Sequence, residues 1–339
     1  MSSALAAFYA PFTTTTLPSG TTYRYLNVTP ATPTKPYLLF LHGYPSAAWD
    51  WRHQIQHFLA RGYGLIVPDL LGYGGTDKPS DPAAYRMKKM AAELVELLDS
   101  LSVKTVIGIG HDWGCSMLSG LANHHRDRLQ AMAFLDVGYT APMPDFDLHD
   151  VCAQIESVIG YVNYGYWEFH NEDDAGAVID EYSESYCSIV YCEDPDLWRT
   201  NMGPYGVLKD WTLNNRTCPV ASWFEGEPKA VHTELFSPEN GGYGPATNWY
   251  KVITRKLNNA DEAECAKTHA TIKQPVLLVT AAQDRICVAA IQEAVTKPHT
   301  EDLRIESLDA AHWLQLEKPE ETNTLLESFF EEVIAKSLE

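Results

Sequence analysis

Short apolar runs alternate along this chain with longer stretches in which apolar residues return every third or fourth position. The run at 37–41, Tyr-Leu-Leu-Phe-Leu, is apolar throughout, as a strand covered on both faces requires. It ends in His42-Gly43-Tyr44-Pro45. The run at 65–67 repeats the pattern and ends in Pro68-Asp69-Leu70-Leu71-Gly72-Tyr73-Gly74-Gly75-Thr76. Further strands are predicted at 105–107, at 129–135 ending in Asp136, at 276–280 and at 303–308, and residues 22–28 read as an early edge strand. Between them, Met87, Met90, Ala91, Leu94, Leu97, Leu98 and Leu101 recur at helical spacing, one packed face of a helix. Met117, Leu118, Leu121 and Ala122 predict a second helix, and Leu325, Leu326, Phe329, Phe330, Val333 and Ile334 a final one. Strands alternating with helices predict an α/β fold: a mostly parallel sheet with right-handed crossovers and helices on its faces.

The pattern changes after Gly138, with Pro142 and Pro144 marking a boundary. From there to about Lys267 strand signals are sparse, while Tyr, Trp, Asp and Glu are plentiful. Ala175, Val178, Ile179, Tyr182 and Tyr186 space as one amphipathic helix. The expected organisation is an α/β core made of 1–139 and 270–339, with 140–269 inserted as a helical cap. At 339 residues the chain suits one large α/β unit carrying such an insertion. No internal repeat or low-complexity segment interrupts it.

A formal net charge of -20 disfavours nucleic acid and anionic membranes as partners, because both select basic surfaces. No window is long and apolar enough to span a bilayer. Residues 1–20 lack Lys and Arg and are broken by Pro11 and Pro18, unlike a signal peptide. The ending Lys336-Ser337-Leu338-Glu339 is not the peroxisomal Ser-Lys-Leu. Seven cysteines, none in Cys-x-x-Cys, predict free thiols and a reducing, cytoplasmic compartment. The glycines at 72, 74 and 75 lack the lysine of a phosphate loop, so they predict an ordinary turn.

The chemistry gathers at Gly108-Ile109-Gly110-His111-Asp112-Trp113-Gly114-Cys115. Glycines at 110 and 114 permit a strand-to-helix turn too tight for larger residues, which pushes the middle side chain out above the sheet. That side chain is Asp112. The helix beginning at Trp113 brings unpaired N–H groups and the positive end of its dipole. A carboxylate is ionised at neutral pH and can attack a saturated carbon, leaving an ester that water must then hydrolyse. The elbow therefore points to an electrophilic sp³ carbon, in an epoxide or an alkyl halide. A plain loop with Asp as helix N-cap would look the same locally, so the partners decide.

Two partners stand at other strand ends. Asp284, in Thr280-Ala281-Ala282-Gln283-Asp284, follows the run at 276–280, and His312, in Asp309-Ala310-Ala311-His312-Trp313, follows the run at 303–308. Catalytic groups of open α/β sheets gather beyond the carboxyl ends of the strands. His312 is the expected base for water, and Asp284 the acid that orients it. Asp136, which also ends a strand, is the alternative acid; otherwise it is expected to cap a turn or bond backbone near the cap hinge.

His42-Gly43-Tyr44-Pro45, Gly110-His111-Asp112-Trp113-Gly114, Asp284 and His312 together resemble the soluble epoxide hydrolases of the α/β-hydrolase fold, and the likeness covers nearly the whole chain. The resemblance implies that Tyr44 and Trp113 supply the two backbone N–H groups of an oxyanion hole, which suits the tetrahedral intermediate of ester hydrolysis. It implies a cis Pro45. It also implies two cap tyrosines that bind and protonate the epoxide oxygen, a role open to a phenol with a pKa of about 10. Asn248-Trp249-Tyr250 resembles the family segment that carries one, making it Tyr250. The other lies in Val162-Asn163-Tyr164-Gly165-Tyr166-Trp167-Glu168-Phe169, with Tyr166 favoured and Tyr164 as the alternate. The cap also carries Tyr161, Tyr182, Tyr186 and Tyr191, and packing alone accounts for many such residues.

The implied partner is a small-molecule epoxide, the implied assembly a monomer or homodimer, and no metal or organic cofactor is expected. Haloalkane and haloacid dehalogenases share the aspartate nucleophile. Haloalkane dehalogenases usually place a halide-binding Asn where this chain has Tyr44, and fluoroacetate-type enzymes place Arg where it has Trp113. A hydrolase-fold small-molecule receptor is a third reading, and an esterase is disfavoured because residue 112 is not Ser.

Overall fold

The computed structural model describes residues 3–338; Met1, Ser2 and Glu339, which belong to the terminal segments read above, lie outside the described residues. Eight strands form one sheet. They are β1 (Thr13–Thr16), β2 (Thr22–Val28), β3 (Tyr37–Leu41), β4 (Gly64–Pro68), β5 (Val106–His111), β6 (Leu129–Leu135), β7 (Val276–Ala281) and β8 (Leu303–Leu308). Their order is β1-β2-β4-β3-β5-β6-β7-β8. β1 and β2 run antiparallel, β2 runs antiparallel to β4, and all other neighbours are parallel. The expected edge strand at 22–28 is thus one place in from the edge, which β1 occupies. Four consecutive threonines form β1, and with no apolar residue the strand has no period-two pattern to read.

The central strands are apolar because each feeds two cores. Leu38 and Phe40 of β3 face one side with Trp51, Ile55, Phe58 and Phe330. Leu39 and Leu41 face the other with Met90, Leu94, Leu97 and Leu118. Alternation in a strand makes this unavoidable. Helices Arg52–Ala60 and Pro319–Leu338 cover the first face; Met87–Ser100 and Trp113–His124 cover the second. Every residue of β4 through β7 is buried except Gln130, whereas β8 is half-buried at the opposite edge. The glycine loop after β4 is a turn. Buried Asp69 accepts the Gly75 N–H at 3.0 Å, the Ala48 N–H at 3.1 Å and the Tyr9 hydroxyl at 2.8 Å, and it pairs with Arg24 at 2.7 Å.

The segment between β6 and β7 is mainly helical, from Leu148–Ile159 to Asn259–Ala266. It is tied to the loops beyond the strand ends. Trp249 Nε1 donates to the Leu71 carbonyl at 2.9 Å, the Tyr191 hydroxyl donates to the Pro45 carbonyl, and Trp313 Nε1 donates to the Val190 carbonyl at 3.2 Å. The single helix expected over 175–186 is two, Ala175–Glu181 and Ser183–Val190. The halves answer to different neighbours. Gly176 lies against Gly244, and Asp180 accepts the Tyr243 N–H, whereas Ser185 donates to the Trp211 and Arg216 carbonyls. Two anchors with different directions break the helix between them. The Tyr44–Pro45 peptide is cis. Among the described residues, no helix is long and apolar enough to cross a membrane.

Candidate active site

β5 ends at His111 and the helix Trp113–His124 begins two residues later, so Asp112 carries the whole reversal. It adopts φ 52° and ψ −122°, a strained conformation for a residue with a side chain. Only glycine lets the helix sit so close to β3: a Cβ on Gly114 would lie 1.9 Å from the Leu41 carbonyl oxygen. The Asp112 carboxylate is thereby held beside the turn after β3, where the Tyr44 N–H donates to Oδ1 at 2.8 Å. Burial raises the Asp112 pKa; His312 and the N–H groups of Trp113 and Tyr44 oppose that rise by favouring the anion.

His312 follows β8 and turns Nε2 to within 3.7 Å of Asp112 Oδ2. Its Nδ1 lies 2.7 Å from Asp284 Oδ2 and 2.8 Å from Asp136 Oδ2. β6 and β7 are adjacent, so their two terminal acids reach one nitrogen. Asp136 therefore does not serve mainly as a turn cap: its carboxyl is on the histidine, and Oδ1 is buried without a hydrogen-bond partner. Asp284 Oδ1 accepts the N–H groups of Ile286 and Cys287. Two carboxylates this close disfavour each other's charge. Burial, then the Asp284 charge, pushes Asp136 well above the carboxylate range. Burial works against the Asp284 anion too, but hydrogen bonds and charge from His312, with bonds from Asp136 and Ile286, bring Asp284 below its ordinary value. His312 loses by burial and gains more from Asp136 and Asp284, so its pKa stands well above 6.5. Burial and mutual charge thus favour the ionised form at Asp284 and the protonated form at Asp136.

Tyr250 lies on helix Gly244–Thr254 and Tyr166 at the start of Trp167–Asn171. Their rings are 6.0 Å apart, and both line a small void with Asp112 and His312. Burial, followed by nearby titratable groups that include Asp112, raises both phenols well above their usual pKa, so both remain protonated donors. Tyr250 stacks on His170 at 4.3 Å and meets the edge of Trp113 at 4.9 Å. Tyr164 is placed differently. Its hydroxyl accepts from Gln292 Nε2 at 3.3 Å, and it lines a larger cavity that also reaches Asp112, not the small void.

Several supporting residues carry little sequence signal. His170 is pushed down to about 3 by burial; it stays neutral against Tyr250 and lies 2.7 Å from the Tyr186 hydroxyl, itself 3.0 Å from that of Tyr44. Its spacing four residues after Tyr166 on one helix face was the available hint. His111 donates from Nε2 to the His312 carbonyl at 2.8 Å, holding the loop that carries His312. Cys287 joins Asp136, Asp284 and His312 in the one grouping of possible metal-ligand atoms among the described residues, all within 4.8 Å of one another; its His Nδ1 is engaged by the two carboxyls.

A family model for the alpha/beta hydrolase fold matches residues 36–157. Mouse bifunctional epoxide hydrolase 2 is 28% identical over 299 residues, covering 86% of this chain and 51% of that protein. Epoxide hydrolase A of Mycobacterium tuberculosis is 27% identical over 329 residues, covering 88% of this chain and 91% of its own. This chain spans about half the length of the mouse and rat relatives. The crystal structure of epoxide hydrolase A from Mycobacterium thermoresistibile superposes with a TM-score of 0.75 at 25% identity, over 94% of this chain and 97% of that one. An epoxide hydrolase from an endophytic Streptomyces shares the fold, with a TM-score of 0.78 at 24% identity over 94% and 95% of the two chains.

Proposed function

We propose, on the premise that this chain has the alpha/beta hydrolase fold of the epoxide hydrolases it matches, that it hydrolyses an epoxide to a vicinal diol. One observation carries the reading: the elbow carboxylate has one oxygen on the Tyr44 N–H and the other near His312, with two protonated phenols lining the same void. The held Oδ1 is seated to become the carbonyl oxygen of an ester, so the free Oδ2 is the attacking atom.

In the proposed first step Asp112 Oδ2 bonds to an oxirane carbon and that C–O bond breaks. The released oxygen takes a proton from Tyr166 or Tyr250. General acids of this kind contribute roughly 10²–10⁴ in rate. In the second step His312 Nε2 takes a proton from water, and the hydroxide attacks the ester carbonyl. The tetrahedral oxyanion sits on the N–H groups of Tyr44 and Trp113, worth about 3 kcal/mol for a single donor in comparable sites. Collapse releases the diol and restores the carboxylate, and the proton on His312 returns to the phenolate. Asp284 holds the imidazole in register and stabilises its charged form.

Residues 140–269 form the proposed cap domain, contributing Tyr166 and Tyr250, and the rest forms the proposed core. The seven cysteines are free thiols, which supports a reducing, cytoplasmic setting. The test is diol formation from aryl and alkyl epoxides by the parent and Asp112→Ala side by side. Diol from the parent alone is expected. Full activity in Asp112→Ala overturns the mechanism, and halide release without any diol would favour a dehalogenase.

A further inference from the structure

We infer that the substrate is a terminal epoxide, with one extended apolar or aryl substituent on one ring carbon and none on the other. This rests on the epoxide-hydrolase reading above. Two voids of very different size share Asp112 and Tyr166 as walls. The larger, about 490 Å³, extends from Asp112 to Pro298 and His299, within the range of about 300–1,000 Å³ typical of small-molecule sites. Its walls include Val151, Ile155, Ile291 and Val295, which favour hydrocarbon. It opens to solvent past Met143 and Val295, exposed at 41% and 46% although both are apolar. A long apolar group can enter there.

The smaller void is about 20 Å³, room for about one water. It lies among Asp112, His312, Tyr166 and Tyr250, where the ring must react. Beyond the reacting groups it is closed by Tyr44, Tyr186, Val190, Trp198, Met202 and Trp313, all buried. These walls are fastened. The Tyr44 and Tyr186 hydroxyls lie 3.0 Å apart, Trp198 Nε1 donates to the Ile189 carbonyl at 2.6 Å, and Trp313 Nε1 donates to the Val190 carbonyl at 3.2 Å. A ring placed at the junction has one carbon opening onto the large cavity. The other faces a space with room for the hydrolytic water but none for a second substituent. A methyl group on that carbon must displace either the water or a fastened side chain.

The test compares styrene oxide with its trans-β-methyl derivative, which adds one methyl group to the far ring carbon. The added methyl is expected to lower kcat/KM roughly a hundredfold. Met202→Ala, which enlarges the small void without touching the reacting groups, is expected to restore about tenfold or more of that loss. Val295→Trp at the solvent mouth is expected to impair styrene oxide while sparing propylene oxide, whose substituent is a single methyl. Equal kcat/KM for the two aryl epoxides in the parent overturns the inference and leaves epoxide hydrolysis standing. Hydrolysis of neither them nor propylene oxide overturns both.

Discussion

Asp136 and Asp284, from adjacent parallel strands, place one carboxyl oxygen each on the same nitrogen of His312, at 2.8 and 2.7 Å. They differ in what holds the second oxygen: two backbone N–H groups for Asp284, nothing for Asp136. That difference adds to the balance that favours the charge on Asp284 over Asp136.

Asp284→Asn removes the anion that stabilises the His312 imidazolium, and kcat is expected to fall by roughly 10³–10⁴. At Asp136 the charged form is the disfavoured one, so Asp136→Asn is expected to stay within about tenfold of the parent. Steady-state kinetics on both variants check this, and a reversed order would make Asp136 the charged partner. Stability provides a second reading. The Asp136 pKa is raised in the folded chain, so its contribution is full below the unfolded value, about 3.9, and is lost as pH rises towards the folded one. The Tm of Asp136→Asn relative to the parent is therefore expected to climb as pH increases from about 4.

In the proposed second step His312 acts as a neutral base, and its pKa is raised above 6.5. The second step is expected to accelerate with pH through that raised value and to fail on the acid side, where the ester accumulates. Esterification removes the Asp112 charge, which helps hold the proton on His312, so the inflection for bound ester is expected below that of the free protein. His312→Gln is expected to trap the ester at any pH, visible as an alkylated Asp112 peptide by mass spectrometry. Absence of that adduct with a substrate the parent turns over rejects the two-step scheme.

Tyr166→Phe and Tyr250→Phe are each expected to slow single-turnover ring opening, and the double variant by roughly 10²–10⁴. Tyr164→Phe is expected to leave ring opening within about threefold, because its hydroxyl is directed to Gln292. A larger loss in Tyr164→Phe than in Tyr166→Phe would exchange their roles.

Gly114→Ala places a methyl group 1.9 Å from the Leu41 carbonyl oxygen, a backbone atom that cannot step aside. A loss of about 3 kcal/mol or more is expected, measurable by urea unfolding. A variant of parental stability and activity would mean that the elbow tolerates separation from β3.

The parallel strands could be read from sequence because burial on both faces leaves continuous apolar runs, and the residues at their ends follow directly. What stayed hidden depends on neighbours distant in sequence. β1 has only threonines. The break at Tyr182 arises from two docking partners more than twenty residues further along the chain. The meeting of Asp136 with His312 depends on β6 lying beside β7, 176 residues separating the two side chains. Cys287 and His170 enter the site only through tertiary contact. Of the alternatives left open at Tyr164 and Tyr166, the one proposed as donor is Tyr166, which lines both voids.

β8 is the outermost strand on its side of the sheet, half-buried and paired along one flank only, and the loop that follows it carries His312. The proposed nucleophile, Asp112, by contrast, follows β5 in the interior of the sheet. Edge elements open at lower free energy than central ones. On warming, the proposed base is therefore expected to be released while the rest of the sheet is still intact: activity is expected to be lost several degrees before the far-ultraviolet dichroism changes, and amide exchange in β8 is expected to outrun that in β5.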